Sequence, residues 1–199
     1  MLVFAHRGAS GTEPENTLRA IKAALDVNCD GIEIDIFEAD NTLFVIHDRW
    51  LRRTTTGTGQ ISQHKTDYLR SLDAGLGEKI PTLDEVLALV NGQCVLNIEL
   101  KGVNNINLLF SSLDNALKNT AMTVKNILIS SFNHPLLQTL HQQRPEFAIG
   151  ALTASCPFDY AKFAKQLNAY SVHIDIDFIN QAFVDDAHQR GLKVFVYTL

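Results

Sequence analysis

Residues 31–40, GIEIDIFEAD, decide how this chain is read. Ile32, Ile34 and Ile36 alternate with Glu33 and Asp35, the period-two pattern of a strand whose faces meet different surroundings. Outward from this stretch, short apolar or β-branched runs are separated by helix-period segments. That alternation predicts parallel strands joined by crossover helices. Strands are expected at 2–6, 31–39, 43–47, 95–100, 127–131, 147–152, 171–176 and 193–198. Helices are expected at 16–28, 82–91, 107–119, 135–143, 159–168 and 179–190. On a barrel strand the outer face packs against helices, so Glu33 and Asp35 are expected to face the lumen. NIELKG, residues 97–102, repeats the pattern, with Ile98 and Leu100 outward and Glu99 and Lys101 inward.

One connection breaks the rhythm. Only Asp40-Asn41-Thr42 separates strands 31–39 and 43–47, too short for a parallel crossover, so a hairpin is expected. A turn centred on Asn41 would set Asp35 opposite His47, returning that histidine to the carboxylates. Residues 48–80 are polar and turn-rich, and read as a small insertion over the site rather than a separate domain. Without the hairpin's return strand, seven barrel-type strands remain. The expected architecture is therefore one α/β domain over 1–199, a TIM-type (β/α)8 barrel lacking its final helix and eighth strand.

The composition sets bounds. The chain has 199 residues, 46% hydrophobic and 20% charged, the balance of a soluble globular domain. A net charge of −5 argues against a nucleic-acid partner. No run has the length of a membrane span, and the N-terminus lacks the features of a signal peptide. Cys29, Cys94 and Cys156 have no metal or redox spacing and read as free thiols of a cytoplasmic protein.

AHRGASGTEPENT, residues 5–17, holds a histidine and an arginine where the first strand ends. Gly8, Gly11 and Pro14 delay the next helix until the capping residues Asn16 and Thr17. The C-terminal ends of parallel strands are where such folds build their sites. Three inward carboxylates need protons or a cation, because each pair about 4 Å apart repels by about 4 kcal/mol at an effective dielectric of 20. Hard oxygen ligands without cysteine favour Mg2+ or Ca2+. The alternative is a set of lumen salt bridges, such as Glu99 with Lys101 or Arg7. Two histidines beside a cation and an arginine suit phosphoryl chemistry, one accepting a proton and the other donating one.

In order along the chain, HRGASGTEPENT, GIEIDI, VIHDRWLRRTTTGTG, IPTLDEVL, NIELK and SSF resemble the glycerophosphodiester phosphodiesterases. The resemblance runs from the first strand to the last residue. It implies a β/α barrel that hydrolyses a small-molecule glycerophosphodiester to glycerol 3-phosphate and an alcohol, with a divalent cation as cofactor. Carried over by residue, His6 and His47 would be the acid/base pair, Arg7 would bind phosphate and Lys101 would add positive charge. Glu33, Asp35 and Glu99 would hold the metal. Asp48 follows the second histidine as in the family, with loop orientation as its alternative role. His173 could line the lumen or be a hydrogen-bonded core histidine, and Tyr197 sits where the family places an aromatic near the site. A phospholipase of related architecture and a catalytically impaired metal- or phosphate-binding module are the competing functions. In the family, the strand GLKVFVYTL runs on into a further helix and strand, so an open barrel of reduced stability is expected.

Overall fold

The computed structural model describes residues 1–198, and the chain divides into two compact units, Met1–Ile127 and Leu128–Leu199. In the first unit β1 (Phe4–His6) leads to α1 (Leu18–Asp26), β2 (Gly31–Ala39) and β3 (Thr42–Val45). Then follow α2 (Thr66–Ser71), α3 (Leu83–Val90), β4 (Val95–Gly102) and α4 (Ile106–Asn119). β1 and β4 flank β2 and run parallel to it, whereas β3 pairs antiparallel to β2. β5 (Ile127–Ser131) starts at the boundary, and in the second unit it pairs parallel in chain order with β6 (Ala148–Thr153), β7 (Ser171–Asp175) and β8 (Lys193–Tyr197). Between them run α5 (His134–Gln143), α6 (Lys162–Gln166) and α7 (Gln181–Gln189).

The helix starts follow from capping. Thr17 Oγ1 accepts from the Ala20 N–H at 3.2 Å, opening α1. Thr82 and Glu85 form a reciprocal box at the start of α3. Ile32, Ile34, Ile36, Leu96, Ile98 and Leu100 occupy one face of the first unit's sheet, each under 4% exposed. At about 1.5–3 kcal/mol for each buried large aliphatic side chain, this face dominates the local packing energy. The same pleat turns Glu33, Asp35, Asn97 and Glu99 to the other face.

The register places these polar residues side by side: His6 beside Glu33, Glu33 beside Asn97, and Asp35 beside Glu99. The hairpin differs from expectation by one residue. Asp40 and Asn41 both take positive φ, 47° and 58°, and form a two-residue turn whose twist suits the flanking strands. Ala39 therefore pairs with Thr42 and Ile36 with Val45, and it is the Ile46 N–H that donates to the Asp35 carbonyl, at 2.9 Å. His47 lies beyond the end of β3 rather than opposite Asp35.

Residues 48–80, expected as an insertion, share one apolar cluster with the hairpin. Leu51, Ile61, Leu69, Leu72, Ala74 and Ile80 pack with Ala39, Phe44 and Ile46 of the hairpin. Apolar positions spaced among polar turns hold residues 48–80 against the β2–β3 hairpin inside the first unit. Elsewhere the expected 159–168 helix shortens to α6, and the first strand starts at Phe4, since Leu2 and Val3 are exposed. No helix of the described residues is long and apolar enough to cross a membrane.

Candidate active site

His6 is the last residue of β1, and Arg7 turns out of the strand in the left-handed region at φ 59°. Gly8 follows at φ 76°, where a Cβ would lie 2.7 Å from the Ala20 carbonyl carbon, so the turn admits no side chain there. This conformation of a bulky residue costs about 1–3 kcal/mol and is kept only where its surroundings demand it. Here it aims the Arg7 N–H at Glu33 Oε2, 3.0 Å away. His6 Nε2 stands 3.8 Å from the same oxygen.

The Arg7 side chain lies along the acidic face. Its Nη1 donates to Glu15 Oε1 at 3.0 Å, and its Nε is 3.5 Å from Asp35 Oδ2. Asn16, also left-handed at φ 57°, is 3% exposed and grips Asp35 twice. Its Nδ2 donates to Asp35 Oδ2 at 2.9 Å, and its Oδ1 accepts from the Asp35 N–H at 3.4 Å. From β4, Lys101 Nζ donates to Glu99 Oε1 at 2.9 Å and lies 3.7 Å from Asp35 Oδ1.

Glu33, Asp35 and Glu99 each offer an oxygen, and these oxygens lie within 4.8 Å of one another. Glu33 Oε1 and Asp35 Oδ1 are buried and carry no hydrogen bond. Each of these two carboxylates thus has one oxygen held by hydrogen bonds and one without any, the Asp35 one having only the Lys101 ammonium 3.7 Å away. Burial, then the neighbouring Asp35 and Glu99 charges, push the Glu33 carboxyl well up. Glu99 is also raised, first by burial and then by Asp35, with Lys101 opposing. Three carboxylates face two close cations, Arg7 and Lys101, and Arg7 is shared with Glu15. An all-oxygen set with orphaned buried atoms and excess negative charge fits a hard divalent cation.

His47 reaches this face from the turn after β3, where it lines one pocket with Glu15 and Asn16. Its Nδ1 is 2.6 Å from Asp48 Oδ1. Donation of the Nδ1 proton to that carboxylate leaves Nε2 to face a reactant. Burial and the Arg7 charge hold His6 below the ordinary imidazole range, which favours its neutral form.

The structure brings His6, Arg7, Glu33, Asp35, His47, Glu99 and Lys101 together in the first unit. His173 and Tyr197 belong to the second. His173 is 4% exposed, shares a 2.9 Å hydrogen bond with Ser171 through Nε2 and tilts against Phe195. The Tyr197 hydroxyl donates to the Thr153 carbonyl at 2.9 Å, and its ring meets Phe132 edge-on. Sequence reasoning missed Glu15, the Asp35-gripping role of Asn16, and Arg53, which bridges Glu15 and Asp48.

Comparison with known proteins now decides the family. The model of the glycerophosphoryl diester phosphodiesterase family matches residues 6–199. The chain belongs to this family. It is 36% identical over 208 residues to the glycerophosphodiester phosphodiesterase of Caldanaerobacter subterraneus subsp. tengcongensis, covering 100% of this chain and 85% of that one. The Bacillus altitudinis glycerophosphodiester phosphodiesterase is 33% identical over 187 residues, covering 87% and 75%. Among solved structures, an Oleispira antarctica phosphodiesterase in complex with the product sn-glycerol-3-phosphate matches with TM-score 0.90 and 31% identity, covering 100% of this chain and 85% of that one. The Agrobacterium tumefaciens glycerophosphodiester phosphodiesterase matches with TM-score 0.83 and 28% identity, covering 100% and 87%. The fold is the TIM-type α/β barrel class of the glycerophosphoryl diester phosphodiesterases, and the chain is an enzyme, a phosphoric diester hydrolase.

Proposed function

We propose that this enzyme hydrolyses soluble glycerophosphodiesters to sn-glycerol 3-phosphate and an alcohol. The observation that carries the reading is Arg7: its main chain holds Glu33 and its guanidinium lies along Asp35, so a phosphate-binding cation is built onto the acidic cluster. The Oleispira antarctica phosphodiesterase, bound to sn-glycerol-3-phosphate, supports the product.

In this reading Glu33, Asp35 and Glu99 hold a divalent cation, Mg2+ or Ca2+. When bound, the ion supplies positive charge against the phosphate oxygens. Arg7 and Lys101 orient the diester and offset its charge. His6 and His47 exchange protons, one taking a proton from the attacking hydroxyl and the other giving one to the leaving alkoxide. Water and the neighbouring glycerol hydroxyl are both competent nucleophiles here. Asp48 holds the tautomer of His47. No step is assigned to His173, which is hydrogen-bonded to Ser171, or to Tyr197, which donates to the Thr153 carbonyl.

Release of sn-glycerol 3-phosphate from glycerophosphocholine and glycerophosphoethanolamine, with and without Mg2+ or Ca2+, tests this directly. Metal-supported release from at least one substrate is expected. Cleavage of intact phospholipid with no release from either glycerophosphodiester would replace the reading with the phospholipase one.

A further inference from the structure

We propose that Arg53 is a positioning residue that fixes His47 relative to Arg7 through two carboxylates. Nothing in the reaction requires Arg53 to touch substrate. Its Nη1 and Nη2 donate to Glu15 Oε2 and Oε1 at 2.8 and 2.7 Å, a two-pronged pairing. Its Nε donates to Asp48 Oδ2. Glu15 Oε1 also accepts from Arg7 Nη1 at 3.0 Å, and Asp48 Oδ1 meets His47 Nδ1 at 2.6 Å. The links therefore run Arg7, Glu15, Arg53, Asp48, His47, from the end of β1 to the turn after β3.

The geometry needs a guanidinium. One planar fork serves two carboxylates on different segments, which a single ammonium on a flexible stem does not reproduce. The anchor is firm for a surface residue. Arg53 ends the 3₁₀ turn Leu51–Arg53, whose Leu51 is fully buried in the apolar cluster shared with the hairpin. Thr55 Oγ1 closes that turn onto the Leu51 carbonyl at 2.7 Å. Exposed ion pairs taken singly contribute little, and Arg53 itself is 44% exposed. The two carboxylates are better shielded, at 20% for Glu15 and 26% for Asp48, and each is already held by a group facing the site. Residues 48–80 thus reach the site through Asp48, held against His47, and through Arg53, which ties Asp48 to Glu15. Without Arg53, Asp48 can rotate away from His47, and Glu15 has only Arg7 to hold it.

The inference rests on the proposed roles of His47 and Arg7, so the experiment carries its own control. Steady-state turnover of glycerophosphocholine is measured for wild type, Arg53→Gln, Arg53→Lys, Asp48→Asn, the Arg53→Gln/Asp48→Asn double variant and His47→Ala, with thermal unfolding of each. Expected is a roughly tenfold or greater loss of kcat in Arg53→Gln, with a smaller change in KM and incomplete rescue by lysine. The double variant should lose less than the product of the two single losses, because both act on His47. A purely structural Arg53 would lower the unfolding temperature without that non-additivity in kcat. The proposal is overturned if Arg53→Gln retains kcat within twofold, if Arg53→Lys restores it fully, or if the losses multiply. His47→Ala with normal turnover would instead overturn the role of His47. A low His47→Ala beside a normal Arg53→Gln would remove only the positioning role.

Discussion

The Arg7 N–H donates to one oxygen of Glu33 at 3.0 Å, while the other oxygen, Oε1, lies buried without a hydrogen bond. A left-handed arginine at the end of β1 thus holds a carboxylate of β2 in a single orientation. Asn16 does the same for Asp35, whose Oδ1 is the second orphan. Holding one oxygen and leaving its mate without a hydrogen bond costs stability in the metal-free protein and gains it when a cation is bound.

That trade gives the first prediction. Without metal, Glu33→Gln should unfold at a higher temperature than wild type, because one repelling charge is gone. In saturating Mg2+ or Ca2+ the order should reverse, since a ligand at a hundred times its Kd stabilises the native state by about 2.7 kcal/mol. Calorimetric titration of the metal alone should show a loss of affinity of about tenfold or more in the variant. An equal metal-induced shift in both proteins would remove Glu33 from the binding set.

Asn16 is the subject of the second. Asn16→Gly keeps the left-handed backbone accessible but removes both contacts to Asp35, leaving a buried carboxylate oxygen short of a donor. A loss of about 1–3 kcal/mol in urea unfolding is expected, together with weaker metal binding. Asn16→Ala should lose more, since its φ of 57° strains an alanine. If glycine and alanine both match wild type, Asn16 is only a helix-entry residue.

The roles of Glu33 and Asn16 mark where the sequence was legible and where it was not. Strict alternation in GIEIDIFEAD and NIELKG places three carboxylates on one face from period alone, and the β2–β4 register pairs Asp35 with Glu99. Asn16 beside Thr17 reads as a cap pair, and Thr17 is indeed the cap. That Asn16 turns to Asp35, nineteen residues away, depends on two left-handed residues, Arg7 and Asn16, which no periodicity reports. The hairpin register failed by one residue for a similar reason. Asp40 and Asn41 tolerate positive φ well enough to make the turn alone, and Thr42 joins the strand. The insertion's anchoring is a third case, because Leu51, Ile61 and Leu69 have no common period and cohere only in space.

The third prediction concerns His173, which burial pushes down to about 3. The unfolded chain takes up that proton near 6.5, so between about 6.5 and 3 the unfolded state binds more protons than the native one. The stabilising effect of a neutral His173 is complete above 6.5 and falls on acidification. The rate is about 1.4 kcal/mol per pH unit, or roughly 2 kcal/mol by pH 5. His173→Gln should flatten the dependence of urea-unfolding stability on pH between 6 and 4 by about that slope. An unchanged slope would mean that His173 is hydrated or protonated in the native protein.

The proposed reaction needs two histidines acting together over the acidic face, and kcat for glycerophosphocholine in His6→Ala, His47→Ala and the double variant tests that most directly. Each single replacement should lower kcat by roughly 10²–10⁴-fold, the usual scale for acid/base groups. The double variant should lose far less than the product of the two, because the residues act as a unit. Near-normal turnover in either single variant, with the fold intact, would contradict the account.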